Sequence, residues 1–354
     1  MSEQTGGKLL AQGVDGCIFI PRLKCKGNSF DFVKSGELMV DKLTNRNSAE
    51  YEFKIAQKIL NIPLFSNYFI IPSDICTPEA VEKQTEPDLT KCEIPESFNN
   101  TKILRMPYGG VSLYNYSFNL KTFSPIQFTK HLLEAGALLA LNGIVHNDLH
   151  QGNIIVDDNS VPRIIDFGRA IFTYETISER YFIHPYSARY FQEPPDYFLL
   201  NSKINDYSKK LAMADFLDKR SVMIEQLFLF FNLTENDIIS SMEEYIHLSS
   251  SYKNNDYVGW FNHHWRTNDS WAIGVRLLDC FFNLLYFKTF ENKWKEDSSI
   301  IMPVLKRLVE INPFRRIDCV QALDMLEYLE GSEGENIIIQ NYGSGWLDKI
   351  GRIR

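Results

Sequence analysis

The stretch Ile144–Ala170, IVHNDLHQGNIIVDDNSVPRIIDFGRA, gathers side chains that could do chemistry. Asp148, Asn153 and Asp166 supply a carboxylate, an amide oxygen and a second carboxylate. Hard oxygens of this kind suit Mg²⁺, and a spare carboxylate can orient or deprotonate a hydroxyl nucleophile. Two short apolar runs, Ile154–Val156 and Arg163–Ile165, flank the turn-rich DDNSVP and read as a hairpin with those polar groups at its mouth. Glu52 is a second candidate. Helical periodicity over Ser48–Asn61 surrounds it with Ile55, Ala56, Ile59 and Leu60, while Glu50, Lys54 and Gln57 fall on the opposite side. A carboxylate on an apolar face is costly unless something pairs with it.

The elements that must position these groups follow from the patterning. Lys8–Ile20 and Phe30–Val40 are rich in Phe, Ile, Leu and Val and are broken by Pro21, Gly27 and Asn28, which predicts short strands and a β-hairpin. Cys76–Thr101 is polar, with prolines at 78, 87 and 95, and reads as a loop or insertion. Lys102–Leu113 is a short strand running into a Pro/Gly turn. Phe128–Asn142 has apolar residues at 128, 132, 135 and 139, with Gly143 placed to stop a helix. The change from strand-rich to helix-rich sequence near residue 110 predicts a two-lobed α+β protein.

Taken together, these motifs resemble the protein kinase superfamily. His146–Asn153, HNDLHQGN, is similar to the catalytic loop H-x-D-L-x-x-x-N, and Asp166-Phe167-Gly168, thirteen residues beyond Asn153, is similar to the metal-binding D-F-G. The resemblance implies a bilobal kinase-like fold with ATP and Mg²⁺ as cofactors. Asp148 would be the catalytic base, and Asn153 and Asp166 the metal ligands. Ala11–Ile18, AQGVDGCI, resembles the Gly-rich turn over the ATP phosphates, with Ala11 in place of the first glycine; Gly13, Gly16 and Ile18 hold the other positions. Phe32-Val33-Lys34 resembles the strand whose lysine holds the α- and β-phosphates. Glu52 is then the carboxylate that pairs with Lys34, with Glu50 the alternative. Gly109-Gly110 would follow the hinge, so that Leu104–Tyr108, Met106 and Tyr108 included, would meet adenine through backbone groups. Further on, Pro194-Pro195-Asp196 resembles A-P-E with Asp196 for the Glu, and Asp269–Gly274, DSWAIG, resembles D-x-W-x-x-G. Ile311–Arg316, INPFRR, resembles the late segment whose arginine pairs with that acidic residue. The resemblance covers about residues 8–329. The Cys-flanked Gly16–Cys25, GCIFIPRLKC, is also similar to divergent kinases encoded by nucleocytoplasmic large DNA viruses.

On this reading the chain divides into an N-lobe (1–105, with the polar insertion 76–101), a C-lobe (106–330, with a helical insertion at about 197–268) and a tail, 331–354. Ser/Thr hydroxyls of protein substrates are the expected acceptors, since His150-Gln151-Gly152 lacks the arginine usual in tyrosine kinases. Two departures matter. Asn147 replaces the arginine that reads a phosphate on the activation loop, so the enzyme is expected to be competent without phosphorylation at Thr173, Tyr174, Thr176 or Ser178, or to be switched by a partner protein. His150 replaces a lysine that supports the γ-phosphoryl group, and is what aminoglycoside and choline kinase loops carry, which keeps a small-molecule phosphotransferase open. A pseudokinase scaffold is the third reading; Lys34, Asp148 and Asp166, usually lost in scaffolds, are all present.

Composition bounds the rest. Hydrophobic residues are 44% and aromatics 13%, which excludes global disorder. A net charge of −8 argues against a nucleic-acid partner bound by bulk electrostatics. No stretch is apolar enough to span a membrane, and the polar N-terminus lacks a signal-peptide pattern. The six cysteines include no C-x-x-C pair and read as ordinary reduced thiols, hence an expected cytoplasmic location, in host cytoplasm or virion if viral. The tail end, with Trp346, Lys349, Arg352 and Arg354, reads as a frayed terminus, with a docking arm as the alternative.

Overall fold

In the N-terminal part, strand alternation places charged residues on both faces of one sheet. The computed structural model describes residues 8–13, 16–20, 22–27, 38–84, 89, 91–93, 98–177 and 186–354. They form two compact units, Met1–Gly110 with Arg163–Gly168 and Val111–Pro162 with Arg169–Arg354. The first unit contains β1 (Lys8–Gln12), β2 (Gly16–Ile20), β3 (Met39–Asn45), β4 (Asp74–Cys76) and β5 (Thr101–Pro107), with helices α1 (Arg46–Ile59) and α2 (Phe65–Tyr68). The strands pair antiparallel in the order β1-β2-β3-β5-β4. This sheet and the larger helical part beyond it make the mixed α+β architecture that the patterning predicts.

Register assigns the faces. Phe19 lies opposite Asp41 and Asp41 opposite Arg105, while Cys17, Leu43 and Ile103 align on the same side. Those residues bury against Leu23, Cys25 and Leu89, with Cys76, Cys92 and Phe98 packed on the cluster. Asp41 is fully buried here, accepts the Leu23 N–H at 2.7 Å and faces Arg105 Nε at 3.4 Å. Burial pushes its carboxyl up to about 6, against the pull of Arg105.

The polar insertion is stapled to this face. Cys17 is bonded to Cys92 and Cys25 to Cys76, each pair with Cα atoms 5.9 Å apart. The reduced-thiol expectation therefore holds only for Cys280 and Cys319, which are buried and free. The paired cysteines are 75 and 51 residues apart, and only the sheet register together with the fold-back of the insertion brings them together. The cysteines thus no longer argue for a reducing compartment.

The second unit begins with β6 (Val111–Ser112) and α3 (Pro125–Leu141), followed by β7 (Ile144–Val145) and β8 (Ile154–Val156). The chain returns to the first unit within β9 (Pro162–Ile164) and comes back before β10 (Ile171–Phe172). Helices then dominate: α4 (Pro195–Ile204), α5 (Lys209–Lys219), α6 (Ser221–Phe231), α7 (Glu235–Leu248), α8 (Ser250–Asn254) and α9 (Tyr257–His264). They are followed by α10 (Asn268–Leu284), α11 (Lys288–Leu308), α12 (Cys319–Glu330) and α13 (Ser344–Ile350). Ser124 caps α3 with Pro125 in its first turn, and Gly143 ends it at φ 64°. α10 is the buried centre of this unit. A Cβ at its Gly274 would stand 2.8 Å from Leu308 and Val309, so the motif glycine is needed for close packing against the end of α11.

The insertion helices α4–α9 are packed rather than splayed. Buried His264 lies against Tyr245 and Phe314, and burial pulls its imidazole down to about 4, while His263 is exposed. The tail is docked, not frayed. Arg352 and Arg354 both donate to Asp324 on α12, and the Trp346 indole donates to Asp318 at 3.0 Å. A buried carboxylate on α12 attracts counter-charges that no periodicity in the tail announces. Among the described residues no helix is long and apolar enough to cross a membrane.

Thiol titration in denaturant without reductant is expected to find two reactive cysteines per chain and six after reduction. Six without reductant would refute the pairing. Cys92→Ser is expected to cost roughly 2–4 kcal/mol of stability in chemical denaturation.

Candidate active site

In the first unit, β3 and α1 converge on a buried ion cluster. Lys42 Nζ lies 2.8 Å from Glu52 Oε2 and 2.9 Å from Asp166 Oδ1. The Asn45 side chain caps α1 by accepting the Ser48 N–H, which starts the helix so that Ala49, Glu52, Ile55, Ala56 and Ile59 face inward. Burial alone would lower the Lys42 pKa. Glu52 and then Asp166 outweigh it, and the ammonium stands above its ordinary value. Glu50 instead pairs at the surface with Arg46 at 2.8 Å.

The lysine that Glu52 holds is therefore Lys42, which corrects the pairing expected with Lys34. Lys34, with Phe32 and Val33, lies outside the described residues. A usable signal was present: Lys42 stands ten residues before Glu52, in a strand that must pair with the Gly-rich hairpin. It was hidden by its neighbour. Asp41 and Lys42 point to opposite faces, so a doubly buried strand reads as polar where its centre lies.

The Gly-rich segment forms β1 and β2. Ala11 is opposite Ile18 and Ile18 is opposite Lys42, so the three share one face. The Gly13 N–H donates to the Gly16 carbonyl at 2.9 Å, and a Cβ at Gly16 would collide with the Leu43 carbonyl. Val14 and Asp15 of the turn lie outside the described residues. Met106 is buried on β5 opposite Val40, and the Tyr108 N–H is committed to the Leu38 carbonyl at 2.8 Å. Asp166 takes φ 60°, a left-handed value that Asp tolerates better than most residues. Phe167 beside it packs edge-on against Phe69 at 5.7 Å, and the Ile70 N–H donates to the Ile164 carbonyl at 3.0 Å.

In the second unit, the loop His146–Asn153 is pinned by α10. Asp269 accepts the N–H groups of His146 at 2.6 Å and Asn147 at 3.0 Å. Asn147 has φ 64°, and its side chain accepts from Asn268 at 3.3 Å. The position that lacks the phosphate-reading arginine is thus tied to α10. Asp148 Oδ1 accepts from Gln192 Nε2 at 3.0 Å, with Arg169 Nη1 at 4.0 Å. Asn153 Nδ2 donates to the Asp148 carbonyl at 3.0 Å, which turns its Oδ1 into the available ligand oxygen. His150 Nδ1 accepts the Gly152 N–H at 3.0 Å, so in the neutral ring the proton sits on Nε2. Gln192 and Arg169 carry no motif; Gln192 reaches Asp148 across 44 residues, a contact that only tertiary structure makes.

The segment 188–196 is held by buried charge. Arg316 Nη2 meets Asp196 Oδ1 at 2.8 Å, both side chains fully buried, and the Trp260 indole donates to the other oxygen at 2.7 Å. This is the pair that the Asp196 and INPFRR resemblances imply. Arg220, between α5 and α6, carries no motif that marks it in the sequence. It is fully buried, donates to the carbonyls of Ala188, Tyr190 and Glu193, and burial pulls its guanidinium down to about 10.

A family model described as the phosphotransferase enzyme family matches residues 119–173, a span that includes Asp148, Asn153 and Asp166. No curated protein matches the chain. The match supports phosphotransferase chemistry of a kinase type. Asn153 Oδ1 and the Asp166 carboxylate are hard-oxygen donors whose chemistry fits Mg²⁺.

Lys42→Met removes the buried ammonium shared by Glu52 and Asp166 and is expected to cost roughly 3–5 kcal/mol in denaturant unfolding. Adding Glu52→Gln is expected to return part of that loss; strictly additive costs would mean the pair is not coupled.

Proposed function

We propose that the chain transfers the γ-phosphoryl group of ATP to Ser/Thr hydroxyls of protein substrates. The observation that carries this reading is Asp148, fixed by Gln192 on a loop whose backbone Asp269 pins from α10. Lys42, held by Glu52, is the grip on the α- and β-phosphates. Gly13 and Gly16 keep the β1–β2 turn thin enough to lie over phosphate. Asp166 and Asn153 would each offer an oxygen to Mg²⁺, which would supply charge neutralisation. Asp148 accepts the hydrogen bond of the acceptor hydroxyl and aims its oxygen, so catalysis is largely positioning. His150 donates one hydrogen bond from Nε2 in place of a full lysine charge.

The protein acceptor is favoured by the buried Asp196–Arg316 pair and the DSWAIG start of α10, features of the protein-kinase resemblance. With them goes the narrower likeness to divergent viral kinases. The family match over 119–173 and His150 favour the second reading, a small-molecule acceptor.

The test is transfer from γ-labelled ATP with Mg²⁺ to a generic basic protein, a peptide pool, and aminoglycoside or choline acceptors. Label on Ser/Thr is expected, falling by about 10²-fold or more in Asp148→Asn. Label on small molecules alone would select the second reading, and no transfer with ATP still bound would select a scaffold. Lys42→Met is expected to remove transfer; a loss confined to Lys34→Met would return the phosphate grip to Lys34.

A further inference from the structure

Beside Asp148, wholly within the second unit, lies a cleft of about 370 Å³. Its walls include Arg276 from α10, Arg189, Phe191 and Gln192 from the segment before α4, and His150 and Gln151 from the loop. Gln192 is also the residue that donates to Asp148 Oδ1, so one wall of the cleft is bonded to the proposed base. No carboxylate lines it among the described residues, although the chain as a whole carries a net charge of −8.

Arg276 is the unusual member. It is 7% exposed, its Nε has no hydrogen-bond partner, and its guanidinium makes no ion pair among the described residues. Leaving a buried arginine unmatched is costly, and burial does pull its pKa below the ordinary value, with Asp279 opposing. Asp279, one turn further along α10, is the obvious neutraliser. Both of its oxygens are occupied, one by Gln151 Nε2 and the other by Gln226 Nε2 at 3.0 Å. The second cation, Arg189, is exposed at the rim, and among the described residues its hydrogen bonds, to Ser187 and Phe191, run through its backbone.

We propose that this cleft binds an anionic group on the acceptor, a phosphate or carboxylate close to the hydroxyl that receives the phosphoryl group, with Arg276 as its buried anchor and Arg189 as its rim. The inference rests on the proposed phosphotransfer and names its substrate class: acidic or already phosphorylated sequences rather than basic ones. A guanidinium fork matches either oxyanion in bidentate geometry, and Phe191 supplies an apolar wall for the side chain that carries it.

The test compares Ser acceptor peptides that differ at one flanking position, carrying phosphoserine, glutamate, alanine or lysine there, with the position moved along the peptide. The phosphoserine or glutamate peptide is expected to have a kcat/KM about tenfold or more above the alanine peptide, with lysine lowest. The two anionic arms tell a phosphate requirement from a general acidic one. Arg276→Gln and Arg189→Gln are each expected to shrink the preference, while Arg276→Lys retains part of it. Arg189 is exposed, so its variant keeps the test readable if Arg276→Gln does not fold. Equal use of all four peptides, or a lysine preference, would overturn the inference and leave phosphotransfer standing. If no peptide is a substrate, the proposed function fails, and anisotropy titration of the phosphoserine peptide against its alanine twin still decides the cleft without turnover. Tighter binding of the phosphopeptide that weakens in Arg189→Gln supports it, and equal binding refutes it.

Discussion

An ammonium buried in a β-sheet must find carboxylates, and in the first unit that requirement organises everything around β3. Lys42 meets Glu52 from α1 and Asp166 from the returning segment 163–168. One side chain thereby fixes the rotation of a helix and the position of a short segment far away in sequence. The opposite face of the same strand solves the converse problem, with Asp41 set between Arg105 and the Leu23 N–H. The two disulfides hold the insertion that keeps this face dry.

The second unit follows the same rule by other means. Asp269 is matched by two backbone N–H groups, Asp196 by Arg316 and an indole, and Arg220 by three carbonyls. Each match ties a functional segment to the helical core: the loop of Asp148 to α10, and the segment 188–196 to α6, α9 and the Arg316 segment before α12. Desolvation costs are met by hydrogen bonds from rigid elements, so these segments are ordered by the fold itself. Asn147, tied to Asn268, belongs to this scheme. Arg276 is a buried cation with no ion pair among the described residues, and on the proposal above a ligand would supply its counter-charge.

Much of this was legible residue by residue. The helix around Glu52 could be read because burial repeats at helical spacing, and a carboxylate on that face had to be paired. The loop HNDLHQGN and the DFG segment could be read because their chemistry is compressed into a few adjacent positions. The lysine was less legible. A strand buried on both sides has no apolar alternation to expose it, and the Phe- and Val-rich segment before it, Phe32-Val33-Lys34, looks more like a strand than Val40-Asp41-Lys42 does.

The amino-acid sequence by itself determined the α+β class, the helices around Glu52 and over Phe128–Asn142, and the short-range sets Asp148 with Asn153 and Asp166 with Phe167 and Gly168. Local periodicity and turn chemistry act over a few residues, and a linear reading captures them. Tertiary structure alone decided which lysine meets Glu52, which cysteines are joined, that Gln192 touches Asp148, and that Arg276 is buried with no ion pair among the described residues. Those are outcomes of register and packing between segments tens of residues apart, where the cost of a buried charge is settled by whatever the fold brings alongside it.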